Sequence, residues 1–183
     1  MRFRTHLLVP AIAAVAMLGA GLPVDAGRDA RPLSGALAGV VNFVEAPECV
    51  PTGLRTVSDA TGTFSHLGRT TMHSEHCTPA GDFIDGGVMT LTAANGDEIT
   101  INYNGEAPFP TETTTVIHLT GDALIVDGTG RFEGATGGQL DGDWDTFNYT
   151  ADVQFPGFVP NTGIPMPGPW DATWRFGPMT IGY

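Results

Sequence analysis

In Trp170-Asp171-Ala172-Thr173-Trp174-Arg175-Phe176, apolar and polar residues alternate without exception, so Trp170, Ala172, Trp174 and Phe176 share one face of a strand. From Leu33 onward no stretch carries the 3.6-residue period of an amphipathic helix. Short β-rich runs are instead separated by turn residues, with 25 Gly and 14 Pro in the chain. Strands punctuated this regularly predict an all-β fold, a sandwich or an antiparallel barrel, over residues 33–183.

Two further runs give registers. Between Gln139 and Phe155 the alternation changes phase: Leu140, Gly142 and Trp144 come first, then Phe147, Tyr149, Ala151, Val153 and Phe155. A slip of one residue would expose a whole face, so a β-bulge or strand break is expected near Asp145–Thr146. A hairpin is legible at Val88–Tyr103. A two-residue Asn95-Gly96 turn would mix its faces. A loop of Ala94-Asn95-Gly96 sets Leu91 against Ile99 and Met89 against Ile101, with Thr90 on Thr100 and Thr92 on Glu98, and makes Gly96 left-handed. Residues 156–169 carry too many prolines for a sheet and read as a long loop, with Phe158, Ile164 and Met166 available to cover one barrel end.

The N-terminus has a different character. Basic residues Arg2 and Arg4 precede an apolar run, Leu7–Leu22, that ends in the small-x-small sequence Val24-Asp25-Ala26. That order predicts a secretory signal cleaved after Ala26, followed by a polar leader, residues 27–32. No Cys precedes Cys49, which excludes a lipidated N-terminal cysteine, and Arg2 and Arg4 are not adjacent, which leaves a twin-arginine route unsupported. No other apolar stretch is long enough to predict a membrane span.

Removing residues 1–26 takes two of the eight basic residues and one of the twenty acids, leaving 6 − 19 = −13 with no lysine. Such a chain repels nucleic acid, which is bound through basic patches. Cys49 and Cys77 are the only cysteines, and in an oxidising compartment an isolated pair reads as a disulfide. The competing reading is a metal site in His73-Ser74-Glu75-His76-Cys77. On a strand, however, His73 and Glu75 share one face while His76 takes the other with His66, which splits the ligand set.

Ser65-His66-Leu67-Gly68-Arg69-Thr70 and Thr90-Leu91-Thr92-Ala93-Ala94-Asn95-Gly96-Asp97 resemble segments of bacterial secreted proteins that are largely uncharacterised. Gly128-Thr129-Gly130-Arg131-Phe132-Glu133-Gly134-Ala135-Thr136-Gly137 resembles the glycine-phenylalanine segment of allene oxide cyclase and dirigent-like barrels. The matches span roughly residues 60–140. The resemblance implies an eight-stranded antiparallel barrel with an apolar interior, built for reactive lipid epoxides or phenoxy radicals in plants and for polyketide ring closure in some bacterial barrels. No catalytic residue of those enzymes aligns here. Physically, Gly128 and Gly130 suit a tight turn, Phe132 can plug the core, and Gly134 and Gly137 allow close strand crossing.

In such a barrel Phe64, Trp144, Trp170, Trp174 and Phe176 are expected inside, either filling the lumen or lining a pocket. With His66, if it lies near Phe64 and Met72, they form the candidate ligand-binding set. Asp141, Asp143 and Asp145 have the spacing of a calcium loop, but Thr146 stands where that loop needs Gly; a solvated strand face is the simpler reading. Nucleophile, phosphate-loop and zinc-protease motifs are absent, and no cofactor is expected. The favoured function is a secreted barrel that binds a small hydrophobic molecule. The alternatives are a cofactor-independent cyclase or isomerase, with His66 or Tyr103 moving a proton, and a structural or interaction module with a filled lumen. Association of copies stays open.

Overall fold

The computed structural model describes residues 31–139, 149–162 and 165–183. They form nine strands: β1 Arg31–Glu45, β2 Leu54–Phe64, β3 Gly68–Cys77, β4 Phe83–Ala93, β5 Glu98–Glu106, β6 Val116–Gly128, β7 Thr136–Gln139, β8 Tyr149–Gln154 and β9 Trp170–Gly182. Neighbours pair antiparallel in chain order from β1 to β6, and β1 pairs with β9 to close the sheet on itself. β7 and β8 each pair with both β6 and β9, so the two short strands share one position. The result is a closed antiparallel β-barrel of eight strand positions, which removes the open edges that a flat sheet would expose. Among the described residues no helix is long and apolar enough to cross a membrane.

Period-two patterning positions the core. On β9, Trp170, Ala172, Trp174 and Phe176 are buried while Asp171, Thr173 and Arg175 are exposed. Past Gly177-Pro178 the buried set becomes Met179 and Ile181. The reason is a bulge: Gly35 pairs with Phe176 but Leu33 pairs with Met179, so two residues of β9 oppose Ser34. Proline is tolerated there because a bulged residue makes no regular ladder bond. The phase change expected at Asp145–Thr146 lies outside the described residues. The later half of that run does alternate, with Tyr149, Ala151 and Val153 buried on β8.

The β4–β5 hairpin has the face-segregating register, Met89↔Ile101, Thr90↔Thr100, Leu91↔Ile99 and Thr92↔Glu98, and Gly96 turns with φ +88°. Two residues expected in the polar leader are part of the sheet. Arg31 and Pro32 belong to β1, paired with Ile181 and Thr180, because the end of β9 needs a partner for the barrel to close.

One end of the barrel is packed solid. Leu33, Leu91, Ile99, Ile125, Met179 and Ile181 are fully buried there, together with Phe132 from the short 3-10 turn Gly130–Phe132. That turn needs its glycines. A Cβ on Gly130, at φ +59°, would sit 2.0 Å from Asp97 Oδ1, and one on Gly128 2.3 Å from the Phe132 carbonyl. Gly134 is left-handed, and Gly137 passes so close to Thr180 that a Cβ would lie 1.8 Å from its carbonyl oxygen.

At the other end, Cys49 and Cys77 form a disulfide that ties the β1–β2 loop to the last residue of β3. Cys49 is buried, and Ala46 N–H donates to the Gly53 carbonyl across the loop. The cysteines are 28 residues apart. A closed loop of that length is worth about 3–4 kcal/mol in the chain-entropy account. Urea unfolding with and without reductant should therefore show an unfolding free energy lowered by that amount in the reduced protein. Coincident curves would mean that the bridge contributes nothing.

Candidate functional site

The mouth of the barrel lies where β1, β3, β5 and β8 finish and β2, β4, β6 and β9 begin. Here the packing leaves a cavity of about 160 Å³. Much of its lining is apolar: Phe43, Met89, Val153, Trp170 and Trp174. Between Phe43, the partner of Thr56, and Met89, the partner of Ser74, runs a polar stripe, Thr56 and Ser58 on β2 facing His76 and Ser74 on β3, with Thr78 beyond the strand end. Deeper along the same strand pair the inward residues turn apolar, Ala60 against Met72. The pattern along β2 and β3 thus divides the lumen into a solid half and an open, hydroxyl-lined half. Among the described residues, no Asp, Glu, Lys or Arg lines the cavity. Val44, Val50, Leu54, Phe83, Phe109 and Met166 leave apolar surface exposed on the strand ends and loops of this end.

His76 and Tyr103 meet in this stripe, with the imidazole Nδ1 2.7 Å from the phenol oxygen. They belong to β3 and β5, with β4 between them. What allows the contact is Gly87 on β4, which pairs with Tyr103. Continuing the β3–β4 register one step past Glu75↔Val88 brings Gly87 beside His76 as well. Without a side chain on Gly87, the Tyr103 ring lies flat across the strand; a Cβ there would be 2.3–2.6 Å from three ring atoms. The same device recurs twice. Phe64 lies on its partner Gly35, and Tyr149 lies on its partner Gly121, donating to the Asn104 carbonyl at 3.1 Å. Aromatic rings covering cross-strand glycines fill the lumen while leaving room above them.

Burial sets the protonation of this group. It lowers the His76 pKa to about 4, so the imidazole is neutral near pH 7. It also raises the Tyr103 phenol far above its ordinary value, against a smaller opposing effect of Ser74 and with a slight electrostatic push from Glu75. Tyr149 is raised likewise, chiefly by burial. A second polar contact joins Thr56 Oγ1 and Thr78 Oγ1 at 2.8 Å.

The residues singled out in the sequence separate into three groups. Trp170, Trp174 and Tyr103 line the cavity. Phe64 and Phe176 are buried but stack on each other, with centroids 4.9 Å apart, and do not line it. Trp144 and the carboxylates Asp141, Asp143 and Asp145 lie outside the described residues, as does Ile164.

His66 is a correction. It sits exposed in the β2–β3 turn with φ +66°, because the strand ends at Phe64 and the chain must reverse before Gly68. It therefore cannot orient a molecule in the lumen or move a proton there. The inward histidine is His76, which the alternation of β3 already placed on the opposite face from His73 and Glu75. The other histidines look outward, His73 to Asp59 at 2.8 Å and His118 to Asp152 at 2.6 Å. Glu75 pairs with Arg55 at 2.6 Å, and Cys77 is oxidised, so the His73–Cys77 run is dispersed. Among the described residues no three His, Cys, Asp or Glu side chains gather as a metal site.

The Pro-rich loop reaches the cavity through Pro165. Phe158 packs on Phe155, which packs on Trp170, and Trp170 Nε1–H donates to the Met166 carbonyl at 3.0 Å. The cavity matches the roughly 150 Å³ of an apolar cavity that takes up benzene, and is below the roughly 300–1,000 Å³ of common small-molecule sites. Compared with models of known families, with curated proteins and with solved structures, the chain matches none.

Proposed function

We propose that this chain is an exported β-barrel that binds a small hydrophobic molecule in the mouth-side half of its lumen. The observation that carries the reading is the cavity of about 160 Å³ lined by aromatic rings and a hydroxyl stripe. A purely structural barrel gains stability by filling such space, since unfilled core volume is destabilising. The closed eight-position barrel and the Gly128–Gly137 segment support a place among allene oxide cyclase and dirigent-like barrels. The disulfide and the basic-then-apolar N-terminus support export.

Fluorobenzene, followed by ¹⁹F NMR, tests the reading. The purified protein should shift or broaden its signal saturably. Ser58→Leu, which places an isobutyl group in the cavity, should abolish the effect while leaving Tm within about 4 °C. A signal unaffected by the native protein would turn the reading toward a filled structural module.

The 2.7 Å contact between His76 and Tyr103 supports a second reading, a cofactor-independent cyclase or isomerase. Its acid–base pair would be these two residues rather than His66. An enzyme of that kind would lose turnover on Tyr103→Phe while retaining its ligand; an unchanged rate would remove Tyr103 from the chemistry.

A further inference from the structure

The hydrogen bonding and charge of the mouth-side cavity define its occupant more narrowly than hydrophobicity does, given the reading of the lumen as a binding site. Tyr103 and neutral His76 form a hydrogen-bonded pair in which each partner carries one hydrogen. Whichever of the two donates, one hydrogen remains after the internal bond is made. The Thr56–Thr78 pair has the same arithmetic: two hydroxyl hydrogens and one bond between them. The stripe is therefore left with donors that an oxygen in the cavity could satisfy, and a buried donor left unmatched is costly.

The cavity also has a charge preference. Among the described residues no cationic side chain lines it, and the nearby Arg55 is taken up by Glu48 at 2.7 Å and Glu75 at 2.6 Å. An anion would enter an acidic protein without a counter-charge. A cation is equally unwelcome, for His76 itself gives up its proton in these surroundings. Beside the stripe, Trp170, Trp174 and Met89 offer flat and adaptable apolar surface, and the volume suits a molecule with one ring.

We propose that the lumen selects an uncharged, one-ring molecule bearing a carbonyl oxygen, with the ring among Trp170, Trp174 and Met89 and the oxygen accepting from the His76–Tyr103 end of the stripe.

Four probes of similar size separate the possibilities: acetophenone, ethylbenzene, benzoate and benzylammonium, each titrated into the purified full chain at pH 7 by calorimetry. Acetophenone should bind at least about tenfold more tightly than ethylbenzene, the effect of one matched hydrogen bond. Its ¹³C-labelled carbonyl should shift downfield on binding. Tyr103→Phe keeps the ring on Gly87 and should bring the two neutral probes within about threefold of each other, leaving ethylbenzene affinity unchanged. Thr78→Val gives a second variant at the mouth, where refolding of the core is not at stake; it should weaken acetophenone selectively too if the threonine pair shares the oxygen. Equal affinities of acetophenone and ethylbenzene for the native protein would overturn the carbonyl anchor. Tighter binding of either ion would overturn the neutral preference. In both cases ethylbenzene binding would leave the lumen standing as a binding site, whereas failure of all four probes would overturn both readings.

Discussion

Replacing Gly87 with alanine should destabilise the native barrel, yet stabilise a barrel in which Tyr103 has been cut to alanine. In the native protein the new methyl would meet three atoms of the Tyr103 ring at 2.3–2.6 Å. The ring is buried against the neighbouring strand and cannot step aside freely. Overpacking of this kind costs about 1–3 kcal/mol. With Tyr103 truncated that obstacle is gone. Gly87 does not have a left-handed φ, so alanine then gains about 0.4–1 kcal/mol by restricting the unfolded chain. Denaturant unfolding of the four proteins of the cycle measures the reversal of sign. A loss in both backgrounds would mean that Gly87 serves the β4 bulge between Ile84 and Gly87 rather than the Tyr103 ring. The same substitution should also separate Tyr103 from His76, so the single change tests how the site is held together.

The second large effect depends on pH. Folding lowers the His76 pKa from 6.5 to about 4 through burial. The unfolded chain therefore takes up a proton at His76 before the folded chain does. Stability from this residue is at its full level above about pH 6.5, falls as pH drops through the interval, and levels off below about pH 4. The difference between those limits is about 3 kcal/mol. His76→Gln should remove that part of the slope, and comparing the two proteins cancels contributions common to both. In urea unfolding between pH 7 and pH 4 the native protein should lose about 3 kcal/mol of unfolding free energy relative to the variant. Parallel curves would place His76 in contact with water in the folded state.

The fold was legible because side-chain period is a local property. Trp170–Phe176 and Leu91–Ile99 state their faces and register within a few residues, and a closed barrel is what several such strands can build with few helices and many turns. The bulge at Gly177-Pro178 was equally readable in principle, since the apolar phase changes from Phe176 to Met179. The site was harder because it depends on which residues sit side by side across strands. His66 and His76 have the same parity relative to Phe64 and Met72. Only the position of the turn after Phe64 decides that one is outside and the other inside. Tyr103 was identifiable as an inward polar group, but its partner was not, since the contact passes over Gly87 on a strand between them. The aromatic–glycine pairs Gly35–Phe64, Gly87–Tyr103 and Gly121–Tyr149 are likewise invisible until the registers are known.

The closure of β1 on β9 has a consequence for how the barrel is presented. Arg31 pairs with Ile181, and its guanidinium lies over the Tyr183 ring at 5.6 Å, so the two ends of the described chain leave side by side. They leave at the solid end, beside Phe132, and the mouth is at the other pole. The barrel is thus a cup with its stem at the base. A group joined directly at Arg31 or Tyr183 would therefore sit at the pole opposite the opening and leave the mouth uncovered.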